Sequence, residues 1–209
     1  MKIFISGGCK NGKSSIAEDQ AVKLAVRENP GTKKHDSENP GAKNHDSENS
    51  DGKNNERDKL YYIATMIPHD DEDHLRIDNH RKMRAGKGFT TIECGHDILS
   101  INPDPDGTFL LDSVTALLSN EMFKTSDGKN FDFDEGAADR VAHELIEFSN
   151  KVKNIVFVSD YIAADICYEE LTEKYRKGLA LLDKALAKAC DTVCEITLGN
   201  PYIYKGELL

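Results

Sequence analysis

A glycine-rich segment near the amino terminus constrains the fold of this chain more than any other feature. Residues 7–14 read GGCKNGKS and match G-x-x-x-x-G-K-[ST] at every fixed position. An apolar run at 3–5 precedes the segment and helix-forming residues follow it, which is the setting that a phosphate-binding loop requires. Glycines let backbone N–H groups turn toward a phosphate, and the next helix presents the positive end of its dipole. The segment therefore predicts a nucleotide-binding loop rather than an ordinary glycine-rich turn.

Two side chains of this loop have predicted roles of their own. Lys13 would reach the β and γ oxygens of a bound nucleotide, and the hydroxyl of Ser14 can bind Mg²⁺. The glycines contribute backbone N–H groups rather than side chains. The residues expected to bind nucleotide here are Gly7, Gly8, Cys9, Lys10, Asn11, Gly12, Lys13 and Ser14.

Composition narrows the class of protein. The chain has 209 residues, 38% of them hydrophobic, which is enough to bury one sizeable core, so we expect a single domain over residues 1–209. A net charge of -10 without a basic stripe disfavours nucleic-acid binding. No run approaches the ~18 apolar residues that span a membrane, and the apolar start is too short for a signal peptide. Five cysteines without a C-x-x-C pair suit a reducing compartment. We expect a cytoplasmic protein with small-molecule ligands.

A repeated decapeptide interrupts this domain. Residues 28–37 read ENPGTKKHDS, residues 38–47 read ENPGAKNHDS, and a decayed third copy begins at residue 48. A segment that buries almost no apolar surface cannot offset the entropy lost on ordering it. We therefore predict a flexible insertion at about residues 28–58. Duplication of a linker explains the recurring His35 and His45 without a metal site.

The rest of the chain alternates between short apolar runs and amphipathic segments. We predict strands at 3–6, 60–65, 90–94, 108–111, 155–158 and 193–198, an edge strand near 202–204, and helices at 13–27, 70–85, 113–123, 133–151 and 169–189. Apolar strands between helices indicate a mostly parallel sheet that is covered on both faces. The predicted fold is thus α/β, a P-loop-type sandwich of three layers. In the last helix we expect an inward stripe that starts at Leu171 and ends at Leu186.

Two acidic residues follow predicted strands and are candidates for a metal site. In a parallel sheet, ligands bind at the carboxyl ends of the strands. Asp112 comes directly after one apolar run, and Asp160 follows another. Either carboxylate could complete a magnesium site with Ser14. The spacing in the sequence does not choose between them.

One histidine has an unusual setting. Arg76, His80 and Arg84 recur every four residues, so the predicted second helix carries an imidazole between two guanidinium groups on one face. Positive charge on both sides favours the neutral imidazole, which is the form that can attack phosphorus. The alternative is a solvated polar face without a role, because charged rows of this kind are common on helices.

Together these features resemble a known enzyme family. The motifs that carry the likeness are GGCKNGKS at 7–14, YIAT at 62–65, DDE at 70–72, RIDNHR at 76–81, TIE at 91–93 and LLDSVTALLSN at 110–120. The chain resembles the adenosylcobinamide kinase / adenosylcobinamide-phosphate guanylyltransferase family of cobalamin biosynthesis. A P-loop alone is common to many families, whereas an R-I-x-x-H-R motif after I-A-T is much more specific.

The resemblance implies residue roles and ligands. His80 would be guanylylated by GTP and would pass GMP to adenosylcobinamide phosphate, while Lys13 and its loop would hold the ATP or GTP that phosphorylates adenosylcobinamide. It favours Asp112 over Asp160 as the partner of Ser14 for Mg²⁺. It also implies that copies of this chain form a homo-oligomer, namely a trimer. The further nucleotide-binding residues that it implies are Ala64, Thr65, Met66, Arg81, Lys82, Met83, Arg84 and Glu93.

The chain departs from the family pattern in two places. Residues 160–168 lack the two glycines and the proline that are typical of the family loop, and Asp183-Lys184 replaces an Asn-Gln pair in the last long helix. Two other functions therefore stay open at the level of sequence. One is a diverged P-loop kinase of another small metabolite, in which His80 only binds phosphate. The other is a regulator that binds GTP or ATP without turnover.

Overall fold

The computed structural model describes residues 1–28, 59–125, 131–162 and 169–209. The strands are β1 (Lys2–Gly7), β2 (Leu60–Ala64), β3 (Thr90–Glu93), β4 (Thr108–Asp112), β5 (Phe123–Thr125), β6 (Phe131–Phe133), β7 (Asn154–Asp160), β8 (Thr192–Thr197) and β9 (Asn200–Lys205). The α-helices are α1 (Lys13–Glu28), α2 (Asp71–Arg84), α3 (Val114–Met122), α4 (Ala137–Lys151) and α5 (Glu170–Ala189). All of the predicted insertion except Glu28, and most of the altered loop at 160–168, lie outside the described residues.

Seven strands form one sheet in the order β3-β2-β4-β7-β1-β8-β9. All neighbouring strands are parallel except β9, which pairs antiparallel with β8 as the predicted edge strand. The register sets Gly7 beside Asp160 and Ala64 beside Asp112. The carboxyl ends of these four central strands therefore meet at one edge of the sheet.

Helices cover both faces of the sheet. On one face α1 packs against β1 and β7, with Ile5, Leu24 and Val156 in the same buried cluster. On the other face α3, α4 and α5 enclose Phe109 and Phe157. Successive strand residues thus point into different helical layers, as expected for strands that are buried on both sides. The predicted α/β sandwich with a mostly parallel sheet is confirmed.

Two details differ from the sequence-based prediction. A two-stranded hairpin, β5 with β6, precedes α4, so this helix begins at Ala137 and not near residue 133. The inward stripe of α5 was predicted to begin at Leu171, and this is wrong, because Leu171 is 46% exposed and the first buried leucine is Leu179. The first turn of α5 extends beyond the core. Within the described residues, no helix has the length and apolar character needed to cross a membrane.

Candidate active site

The glycine-rich loop follows β1 directly and has a backbone that requires glycine at two positions. At Gly7 a Cβ atom would lie 2.5 Å from the carbonyl oxygen of Ile196 and 2.5 Å from the side-chain nitrogen of Asn11. At Gly12 the φ angle is 90°, which L side chains rarely adopt. The side-chain amide of Asn11 donates to the Ile196 carbonyl and so ties the loop to β8. Gly7 is thus required because a side chain would clash there, and Gly12 is required because of its backbone conformation.

Lys13 is buried at the start of α1 and is held by two acceptors. Its side chain is 6% exposed, and its Nζ donates to the carbonyl oxygen of Gly8 at 2.7 Å and to Oδ1 of Asp160 at 2.6 Å. Asp160 ends β7, the strand that pairs with β1, so the sheet register brings this carboxylate to the loop. The carboxylate and the carbonyl thus compensate the buried positive charge of Lys13, as a buried charge requires.

A polar network behind Asp160 fixes the end of β7. The backbone N–H of Asp160 donates to Oγ1 of Thr115 at 2.7 Å, and the hydroxyl of Tyr175 donates to the Thr115 carbonyl at 2.8 Å. The Ser159 hydroxyl donates to Oδ1 of Asp183 at 2.8 Å. Burial raises the pKa of Asp183 to about 7, and the charge of Asp160 adds to this although the Ser159 hydrogen bond opposes it. Asp160 and Asp183 are thus close enough for their charges to interact.

Asp112 lies on the other side of β7, at the end of β4. Its Oδ2 accepts a hydrogen bond from the Tyr62 hydroxyl at 3.0 Å. Burial raises the pKa of Tyr62, and the charge of Asp112 raises it further, so the hydroxyl stays protonated and donates. The guanidinium of Arg84 stacks on the Tyr62 ring at 3.5 Å from its centroid. This stack attaches the end of α2 to β2.

The helix that carries His80 is mostly exposed. Asp70 caps α2 by accepting from the Asp73 N–H at 2.9 Å, acids fill the first turn and bases fill the last, as the helix dipole favours. Only Arg84 of this helix is buried, while His80 is half-buried. Near the end of the helix, Arg81 forms an ion pair with Glu93 of β3 at 3.0 Å. The helix is therefore held mainly through its last turn.

These elements surround one cavity of about 680 Å³. Residues of the loop and of α2 both line it, and Lys13 and His80 are among them. The predicted site residues that line the cavity are Cys9, Lys10, Asn11, Gly12, Lys13, Ser14, Ala64, Met66, His80, Arg81, Met83, Arg84, Glu93 and Asp112. Both acids left open by the spacing, Asp112 and Asp160, reach it as well.

Four predicted residues do not line the cavity. Gly7 forms the base of the loop, and Gly8 contributes its carbonyl to Lys13. Thr65 is fully buried and supports the site indirectly, because its hydroxyl donates to the Ser113 carbonyl at 2.7 Å. Lys82 is exposed on α2.

Other polar residues of the cavity were missed by sequence reasoning. They are Ser15, Tyr62, Asn79, Ser113, Thr115, Ser119 and Tyr175. Ser113 and Thr115 belong to the LLDSVTALLSN motif, which supported the family resemblance but assigned no role to either residue. Tyr175 lies within the stripe that was predicted to face inward in the last helix, and its spacing therefore indicated a core residue. The sequence contains no short motif that predicts that α5 lies next to the carboxyl end of β7.

The donor set suits a magnesium ion that is bound together with nucleotide phosphates. The Ser14 hydroxyl and the Asp112 carboxylate both face the cavity. The described part of the chain contains no group of three or more His, Cys, Asp or Glu side chains that could hold a metal alone. Mg²⁺ is usually held by one or two carboxylates with substrate phosphates and water, so these two oxygen donors fit it.

Fold and cavity together are those of an α/β protein of the P-loop type, in which a histidine lines the same cavity as the glycine-rich loop. A family model described as cobinamide kinase / cobinamide phosphate guanyltransferase matches residues 43–203. This match covers more than half of the chain, which therefore belongs to that family. Membership supports a cobinamide kinase and guanyltransferase activity that uses nucleotide substrates. The match starts after the glycine-rich loop, so the loop assignment depends on its sequence and geometry. A search of curated proteins found no match.

Proposed function

We propose that this protein is a bifunctional adenosylcobinamide kinase and adenosylcobinamide-phosphate guanylyltransferase that works through a guanylyl-histidine intermediate on His80. The observation that carries the proposal is that Lys13 and His80 line one cavity. A phosphate-binding lysine and a nucleophilic imidazole around one space can serve two successive transfers of phosphorus groups. Family membership supports the same pair of activities.

In the kinase reaction the loop would hold ATP or GTP. Its backbone N–H groups and Lys13 would bind the β and γ phosphates, and the γ-phosphoryl group would move to the aminopropanol hydroxyl of adenosylcobinamide. Ser14 and Asp112 would hold Mg²⁺, which neutralises charge on the phosphates when it is bound. Tyr62 would orient Asp112 through its 3.0 Å hydrogen bond.

In the guanylyl reaction His80 would be the nucleophile. Its ring nitrogen would form a bond to the α-phosphorus of GTP while the bond to pyrophosphate breaks. The phosphate of adenosylcobinamide phosphate would then attack the same phosphorus, so that the P–N bond breaks and His80 is regenerated. The half-buried position of His80 on the cavity wall gives both partners access to the ring.

Further residues would bind GTP and set its position. Arg84 is fixed over Tyr62, and Arg81 is anchored by Glu93, so both guanidinium groups are placed before the nucleotide arrives. We also propose nucleotide contacts from Ala64, Met66, Met83 and Glu93, which line the cavity. Thr65 would act indirectly through its hydrogen bond to the Ser113 carbonyl, and Lys82 would act from the exposed face of α2. The protein would be one domain with an insertion at about residues 28–58 and would act as a homo-oligomer, a trimer by resemblance to the family.

A labelling experiment tests the covalent intermediate. GTP that is radiolabelled at the α-phosphate should leave an acid-labile, alkali-stable adduct on the protein, which His80→Ala should abolish because the nucleophile is removed. His74→Ala is the matched control, since His74 is exposed on the same helix, and it should label like the wild type. ATP consumption that depends on a different metabolite, without an adduct, would indicate another P-loop kinase. Tight nucleotide binding with neither reaction would indicate a regulator.

A further inference from the structure

We propose that a second cavity of the protein binds the corrin ring of adenosylcobinamide, while the aminopropanol arm of this substrate reaches the reaction cavity past Ser119. The inference rests on the proposed kinase function and adds to it the place of the acceptor. This side cavity has a volume of about 740 Å³. Its lining comes from the segments after β2 and β3, from α3, from the β5–β6 hairpin and from the first turn of α5.

The size of the reaction cavity is the first argument. About 680 Å³ is within the range of cavities that enclose one small ligand, and a nucleoside triphosphate is such a ligand. Adenosylcobinamide carries a macrocycle and an adenosyl group in addition to the hydroxyl that reacts, so it is larger than the nucleotide. The bulk of the acceptor therefore needs a surface outside the reaction cavity.

The two cavities are neighbours, which is the second argument. Ser119 of α3 lines both of them. The ring of Phe123, in the side cavity, contacts the ring of Tyr175, which lines the reaction cavity, with 5.9 Å between the ring centroids. A substrate that fills the side cavity is therefore next to the space in which the nucleotide would bind.

Apolar side chains form part of the side cavity. The rings of Phe123 and Phe133 are tilted against each other, with their centroids 5.4 Å apart. Leu171 also lines the cavity and is 46% exposed, so the protein's own core does not account for this leucine. An exposed leucine beside two aromatic rings offers the kind of surface on which the apolar face of a macrocycle can pack.

Polar groups of the side cavity suit the periphery of a corrin ring, which carries amide side chains. Asn120 is held in place because its side-chain nitrogen donates to the carbonyl oxygens of Thr65 at 2.8 Å and of Gly95 at 2.9 Å. The imidazoles of His69 and His96 are exposed and can donate to or accept from amides. A lining that is mostly apolar with a few placed polar groups is typical of small-molecule sites.

The charge of the side cavity disfavours a second nucleotide. Among the described residues that line it, Lys124 is the one lysine or arginine. Its Nζ is 2.7 Å from Oε2 of the buried Glu121, so this charge already has a partner. The neutral amides of the corrin periphery fit this setting better than phosphates do.

Two leucines of α5 with nearly equal exposure test the inference. Leu171 is 46% exposed and lines the side cavity, whereas Leu181 is 45% exposed and lines neither cavity. Equilibrium dialysis in the dark measures the Kd for adenosylcobinamide. We expect Leu171→Ser to raise this Kd about 5- to 10-fold, because apolar contact with the ring is lost, and Leu181→Ser to leave it unchanged. In both variants, the Kd for ATP and the labelling of His80 by GTP should stay within about twofold of the wild type.

Three outcomes would overturn the inference. A Kd for adenosylcobinamide in Leu171→Ser within about twofold of the wild type would place the corrin ring elsewhere. Equal weakening in both variants would indicate a general disturbance of α5. A smaller assembly of Leu171→Ser alone in light scattering would mean that a second copy of the chain covers this surface.

Failure of the proposed function has a different signature. Wild-type protein that neither binds nor phosphorylates adenosylcobinamide would refute that function, whatever the variants do. Wild-type protein that does both, together with an unaffected Leu171→Ser, would refute only the place of the ring.

Discussion

The two walls of the cavity are held in place very differently. The loop wall rests on the two central strands β1 and β7 and on α1, whose residues Ala17, Ala21 and Leu24 are buried. The other wall is α2, in which Arg84 is the one buried residue of fourteen. Leu75 and Met83 of that helix are 64% and 58% exposed.

From this difference in packing we expect the loop wall to be rigid and α2 to be able to move. Lys13 starts a helix whose apolar residues are packed on the sheet, whereas moving α2 exposes little apolar surface and costs little free energy. A proposed nucleophile on such a helix can approach first GTP and then an acceptor phosphate in the same cavity. A phosphate-binding lysine needs one position, because the geometry of the loop is fixed.

The largest expected effect is on the rigid wall. Lys13→Ala should slow the kinase reaction about 1,000-fold, because the charge that stabilises the transferring phosphoryl group is removed. Guanylylation of His80 should persist at a measurable rate, since the nucleophile is on the other wall. Both activities are measured on one preparation, with Lys188→Ala, an exposed lysine of α5, as the control. Equal loss of both reactions would show that the walls do not act separately.

A matched pair of leucines tests the packing side of the comparison. Leu24→Ala in α1 should destabilise the protein by about 3 kcal/mol, because this side chain is 2% exposed and its removal leaves a cavity. Leu75→Ala in α2 should cost less than about 0.5 kcal/mol, as for other exposed positions. Urea unfolding at constant pH measures both. A cost for Leu75→Ala that approaches the one for Leu24→Ala would mean that α2 is packed against a surface in the assembled protein.

The same contrast explains what the sequence could predict. The loop was predictable because its geometry is local, with Gly7 and Gly12 at positions where other residues would clash or be strained. The sheet was predictable because short apolar runs alternate with amphipathic helical segments. His80 was singled out by its place between two arginines on one helix face, and this spacing is a local property as well.

Other parts depend on which strands become neighbours, and chain order does not specify this. Asp112 and Asp160 both follow apolar runs, but β7 lies between β4 and β1, so Asp160 and not Asp112 contacts Lys13. The hairpin of β5 and β6 escaped prediction because strands of three residues are too short for an alternating pattern. The sequence marks Asp183 only as a departure from the family pattern, and it does not predict the hydrogen bond from Ser159 of β7.

Asp183 is a partly buried acid on α5, and removing its charge should stabilise the protein. The folded state raises its pKa from 3.8 to about 7, mainly because burial disfavours the charged carboxylate. The folded protein therefore holds a proton that the unfolded chain releases, so the stability contributed by this group falls as pH rises from about 4 to about 7 and then stays low.

Asp183→Asn cannot ionise, and its amide oxygen can still accept from Ser159. We expect the variant to be about 2 kcal/mol more stable than the wild type near pH 8, with little difference near pH 4, after allowing for partial exposure of the side chain. Urea unfolding at both pH values measures this difference, with the exposed Asp132→Asn on β6 as the control. A gain that is independent of pH would mean that packing, and not the buried charge, sets the cost of Asp183. A gain confined to high pH would show that the folded protein gives up stability to keep an ionised Asp183 next to Ser159.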